Sequence, residues 1–164
     1  MPDVLICADL EHGALELLLD RYQLGLSWVP AGERIEGSYW GECEAGLVGS
    51  RLLVRPDTPV HSALHEACHY VCMDEKWRRL LHTNAGGGCH EENAACYLQI
   101  LLADALPGVG SSRMMVDMDA WGYSFRLGST RAWFEQDARD TREWLLAFAL
   151  ITERNAPSWR LRMK

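Results

Sequence analysis

Two histidines four residues apart, His65 and His69 in the run HEACH, leave little choice about the middle of this chain. On a helix that spacing puts both imidazoles on one face, about one turn apart. The flanking signals agree. Thr58 followed by Pro59 marks a helix start, because Thr caps free amides and Pro at the first helical position lacks an amide that would go unpaired anyway. That helix should reach at least Met73, and residues 76–81 continue it or begin a new turn. The run NAGGG at 84–88 must break it, since three consecutive glycines favour the unfolded backbone. Another helix starts near His90 and runs through ENAACYLQILLADAL until Pro107 and Gly108 stop it. Nearly all apolar, it should be buried on most sides.

Around this centre the chain reads as one domain spanning residues 1–164, with 48% hydrophobic residues to build a core and neither an internal repeat nor a linker. Asp9 is placed to cap a helix over 10–22, where Leu10, Ala14, Leu17, Leu18 and Tyr22 form an apolar stripe. LGLSWV, ending at Pro30, predicts a short strand, and 31–37 a polar turn with two glycines. Residues 38–48 look extended, Gly49 and Ser50 form a tight turn, and 51–55 (RLLVR) return as the partner strand. The glycine-rich stretch 108–130 fits either a short strand or an ordered loop. Ser129 or Thr130 then caps a last helix reaching about Glu153, with Phe134, Ala138, Leu145, Phe148 and Ala149 at helical spacing.

Charge and cysteine usage narrow the function. A net charge of -7 argues against nucleic acid as a partner, because that binding is driven by clustered cations releasing counterions. The one basic cluster, Arg154, Arg160, Arg162 and Lys164, reads as a solvated tail. No apolar run approaches the roughly 18 residues of a membrane span, and the N-terminal MPDVLICADLEHG does not read as a signal sequence. The six cysteines, none in a CxxC pair, are therefore expected as free thiols in the cytoplasm.

HEACH carries chemistry as well as helix. Two imidazoles at this spacing can meet one Zn²⁺, and Glu66 between them sits beside the metal, placed to take a proton from a water whose pKa the zinc lowers toward about 7. Given the residue frequencies, the pattern arises by accident in about 2% of such chains, so the context must support it. A catalytic zinc needs a third protein ligand, and HEEN at 90–93 offers Glu91 or Glu92 at the start of the next helix. The competing reading is that both glutamates only complement the helix dipole.

These motifs together resemble the zincin metallopeptidases, in the gluzincin arrangement of HExxH plus a downstream Glu. GLVGSRLLVRPDTPVHSALHEACH is similar to the hairpin, edge strand, turn and active-site helix of the ImmA/IrrE type. That family's second motif places Glu91, Ala94, Tyr97, Leu101 and Leu102 at matching offsets, whereas the aminopeptidase version aligns Glu92, Ala95 and Tyr97 and puts Gln99 on the same face as Glu92. The third ligand is thus Glu91 or Glu92. The resemblance implies an α+β, minimal zincin-like domain: a small, mostly antiparallel sheet or hairpin packed on the HExxH helix, with further helices. It also implies one Zn²⁺ per chain and hydrolysis of a peptide or protein substrate, with Glu66 as general base. The alternative is a non-catalytic zincin-like metal-binding or interaction domain, a reading that the chain's shortness motivates.

Other residues are singled out by departure or position. The Asp or Asn that related enzymes often carry four residues after the ligand Glu is replaced here by Ala95 or Cys96, leaving Asp57, Asp117 and Asp119 as candidates to support a histidine. Cys68, where the family usually has Gly, reads as a small buried residue. His61 reads as a partly exposed helix-end histidine. His82 and His90 flank the glycine turn, and Tyr123 is a candidate hydrogen-bond donor to a developing oxyanion. The tryptophans, Trp121 and Trp133 among them, read as core anchors.

Overall fold

The computed structural model describes residues 2–38, 42–81 and 88–164. The protein is α+β, with seven α-helices and a three-stranded sheet among those residues. Strands β1 (Gly25–Trp28), β2 (Gly46–Val48) and β3 (Arg51–Val54) lie in the order β1-β3-β2. β2 and β3 form the expected antiparallel hairpin, turning at Gly49, whose φ of 57° suits glycine. β1 pairs with β3 in parallel, so the sheet is mixed rather than mostly antiparallel. Leu47, Leu52 and Val54 are fully buried, and the sheet packs against helix α2 (Val60–Cys72).

α2 lies where the sequence put it, but its start is built differently. Thr58 does not cap it. The Thr58 hydroxyl accepts from Arg55 N at 2.8 Å, closing the preceding turn, and Pro59 occupies the cap position. The first helical amide, Val60 N, donates instead to Leu5 O at 2.9 Å, and Cys7 N donates to Thr58 O, so the N-terminal segment satisfies the helix start. α3 (Glu75–Leu80) is capped by Asp74, which accepts from Trp77 N. α4 (Cys89–Ala103) is buried at every position from Ala94 to Ala103 and packs along α2 in the most extensive helix contact of the fold.

Three local expectations are corrected. The helix predicted over 10–22 is only α1 (Ala14–Asp20), because Gly13 adopts φ 81° and starts it late, while Asp9 closes a 3-10 turn (Cys7–Asp9) by accepting from Ile6 N. Residues 110–121, undecided between strand and loop, form helix α5 (Gly110–Trp121). Its buried Met114, Met115 and Met118 recur at helical spacing, Asp104 accepts from Ser111 N, and Gly122 ends it with φ 107°. The single last helix is two, α6 (Thr130–Gln136), capped by Ser129, and α7 (Arg139–Ala147). The extended reading of 38–48 survives only in β2; residues 39–41 and the 84–87 part of the glycine run lie outside the described residues. Among the described residues no helix is long and apolar enough to cross a membrane.

Candidate metal centre

α2 presents His65, Glu66 and His69 toward the first half of α4, and the small side chains of Ala94 and Ala95, both fully buried, keep the two helices close. His65 Nε2 and His69 Nε2 stand 3.1 Å apart. Each faces one oxygen of Glu92, His65 Nε2 at 2.9 Å and His69 Nε2 at 2.8 Å. Glu91 points elsewhere, its Oε1 2.9 Å from Arg162 Nη1. Consecutive helical residues diverge by about 100°, so only one of the two glutamates can join the histidines. The geometry brings Glu92 to them.

The second helix also fixes how His65 is oriented. Gln99, fully buried, donates from its Nε2 to His61 O at 3.2 Å and lies 3.7 Å from Met114 Sδ, which turns its Oε1 toward His65 Nδ1 at 2.7 Å. An amide oxygen can only accept, so Nδ1 carries a hydrogen, and in the neutral ring Nε2 is the nitrogen left with the lone pair, on the side that faces His69 and Glu92. Spacing points to Gln99, seven residues after Glu92 and on the same helix face, but its partners are beyond sequence. None of the expected aspartates serves: Asp57 pairs with Arg55, Asp117 with Arg113 and Leu5 N, and Asp119 with Thr130.

The donor set fits a divalent metal. His65 Nε2 and His69 Nε2 stand 3.1 Å apart and one donor atom from each of His65, His69 and Glu92 lies within 4.8 Å of the others, so a cation between them would take the place of the protons that otherwise join the two rings to Glu92. These separations are slightly shorter than the roughly 3.3 Å edge of a tetrahedron with bonds of ~2.0–2.1 Å. Glu92 is about half exposed, so the cluster opens to solvent on its side.

Electrostatics follow from burial and from the cluster itself. Burial would lower the His65 ring, but the Tyr123 hydroxyl, the Cys96 thiol and the Glu92 carboxylate outweigh it and hold the ring well above its usual value. Hydrogen bonds from the two imidazoles pull Glu92 far below the carboxylate range. Burial raises Glu66, against the opposing pull of His69 and His65, and Glu66 has no hydrogen bond or ion pair to any described residue.

Behind the ring of His65 lies a second polar layer. His61 is buried, not partly exposed, and its Nδ1 is 3.1 Å from the Tyr123 hydroxyl. Its ring packs on Trp121 and Tyr123, with centroids at 5.0 and 5.3 Å, and Trp121 Nε1 donates to Glu44. The hydroxyl of Tyr123 is thereby engaged with His61. Burial pushes that phenol up to about 12 and, together with the charge of His65, holds His61 down at about 3. Cys96 Sγ lies 3.9 Å from His65 Nδ1, again on the far side from the metal position. Cys68 is fully buried with its thiol pushed up by burial, which makes it unreactive, and all six cysteines are free. His90 is exposed and apart from the cluster, and His82 lies outside the described residues.

No family model matches the chain, and no curated protein or solved structure shows significant similarity to it.

Proposed function

We propose that this chain is a zinc-dependent hydrolase that cleaves an amide, a zincin-type metallopeptidase with one zinc held by His65, His69 and Glu92 and with Glu66 as general base. The observation that carries the reading is the meeting of His65 Nε2, His69 Nε2 and both Glu92 oxygens beside the partly buried Glu66, whose carboxylate has no hydrogen bond or ion pair among the described residues. When bound, the metal would supply Lewis acidity, polarising a carbonyl oxygen and lowering the pKa of a water toward about 7. Glu66, with its carboxyl raised by burial, is suited to accept that water's proton and hand it to the leaving amine. Gln99 keeps His65 in the tautomer that offers Nε2. Tyr123 takes a supporting place in this scheme, holding His61 behind His65, in place of the oxyanion role its sequence context suggested.

A purely structural zinc would be enclosed by four protein ligands. Here the Cys96 thiol faces Nδ1 of His65 rather than Nε2, and the cluster is open beside Glu92, which favours a hydrolytic site over a structural one. Six free cysteines accord with a cytoplasmic setting for this chemistry.

The test is Glu66→Gln, assayed with a mixed peptide library under saturating zinc. Turnover should fall by about 10²–10⁴-fold with zinc content unchanged. Equal cleavage by the variant and the wild type would reject Glu66 as base, and an absence of cleavage by both would favour the non-catalytic metal-binding reading.

A further inference from the structure

Glu92 lies in the first turn of α4, a place where helices fray, and Gly88 at the cap position makes no side-chain cap bond. The two histidines sit on α2, and the chain between the helices runs through α3. What ties the end of one helix to the start of the other is a residue from the far end of the sequence. Arg162 Nη1 lies 2.9 Å from Glu91 Oε1 and 3.1 Å from Cys72 O, the last residue of α2, and Arg162 N donates to Val71 O at 3.0 Å. Its guanidinium stacks over Phe148, 4.0 Å from the ring centroid, with Trp144 at 5.1 Å. The Arg162 carbonyl accepts from Arg78 Nη2, and Arg78 also donates to Tyr70 O and Met73 O. Both members of the Arg162–Glu91 pair are largely buried, with side-chain exposures of 15% and 18%, which is not the solvated tail that the basic composition suggested.

We infer that Arg162 is a positioning residue for the metal centre: by gripping Glu91 and the carbonyl end of α2 with one guanidinium, it sets Glu92 against His65 and His69. The inference rests on the metal reading proposed above. Its logic is geometric. Glu91 and Glu92 are neighbours on one helical turn, so fixing the first by a planar, stacked cation limits the rotation and fraying of the second. The C-terminal segment thus acts as a strap across the two helices that carry the ligands.

The experiment compares Arg162→Met, Arg162→Lys, Glu91→Gln and the Arg162→Met, Glu91→Gln double variant as full chains. Zn²⁺ affinity is read by competition with a chromophoric chelator and Co²⁺ coordination by visible absorption, with the fraction folded measured alongside. Loss of a group supporting a metal ligand typically weakens binding by about 10–100-fold. Arg162→Met and Glu91→Gln should each weaken Zn²⁺ binding to that degree and alter the Co²⁺ spectrum, Arg162→Lys should restore part of the loss, and the double variant should be no worse than the poorer single one. Glu91→Gln, nearly isosteric, keeps the test decisive if Arg162→Met does not fold. Variants that melt earlier yet bind Zn²⁺ within twofold of wild type, with an unchanged Co²⁺ spectrum, would overturn the strap while leaving the metal reading intact. A wild-type chain that binds neither ion overturns the metal reading, and the strap falls with it.

Discussion

Replacing Gln99 by Leu keeps the volume of a fully buried side chain and removes its hydrogen bonding. Two buried groups lose their partner: the Nδ1–H of His65, now 2.7 Å from Oε1, and the carbonyl of His61, now 3.2 Å from Nε2. Each orphaned group costs about 1–3 kcal/mol, partly offset because the buried amide is itself replaced by an apolar group. The metal-free chain should therefore lose roughly 1–4 kcal/mol, read as a shift in the denaturant midpoint at unchanged slope. The effect on metal is separate. Without an acceptor at Nδ1 the ring is free to place its hydrogen on Nε2, the atom required as ligand, so zinc affinity should fall by about 10–100-fold, or roughly 1.4–2.7 kcal/mol. Chelator competition on folded protein isolates this quantity from stability. If Gln99→Leu binds zinc within twofold of wild type, the argument that the amide selects the His65 tautomer is wrong.

Two further outcomes follow from particular residues. His61 is held at about 3 in the folded chain against about 6.5 unfolded, so its contribution to stability is complete above pH 6.5 and falls on acidification, by ~1.4 kcal/mol per unit through the window. His61→Asn cannot titrate and should flatten the dependence of the denaturation midpoint between pH 6.5 and 4.5; parallel slopes for the two proteins would contradict this. A Cβ at Gly46 would stand 2.0 Å from the backbone oxygen of Glu36, so Gly46→Ala should cost at least ~2 kcal/mol in thermal or chemical unfolding. Gly88→Ala, whose Cβ would meet no atom of the described residues within 4 Å, serves as the comparison and should cost no more than about 1 kcal/mol, the preference of an N-cap for Gly over Ala.

What the sequence made legible were features written in short spacing. The i, i+4 pair His65 and His69 requires one face of a helix, Gly49–Ser50 requires a tight turn, and both are where the spacing put them. What it hid depended on distant partners. Whether Glu91 or Glu92 faces the histidines is not readable from spacing, because the partner of Glu91 is Arg162, 71 residues beyond it. The parallel pairing of β1 with β3 leaves no local mark, since only antiparallel neighbours are joined by a short turn. Helix α5 was obscured by its glycines, although the Met114, Met115 and Met118 stripe was readable. The break between α6 and α7 falls at Asp137 and Ala138, neither a breaker by type; Asp137 instead pairs with Arg126.

The proposed chemistry stands or falls on His65, His69 and Glu92 together holding one metal ion. Native mass spectrometry with elemental analysis, on protein loaded with zinc and freed of loosely held metal, measures this directly. One zinc per chain is expected in the wild type, none in His69→Ala or Glu92→Gln, and one in Glu91→Gln when zinc is saturating. A wild-type chain that retains no zinc, or a site lost with Glu91→Gln and kept with Glu92→Gln, would contradict it.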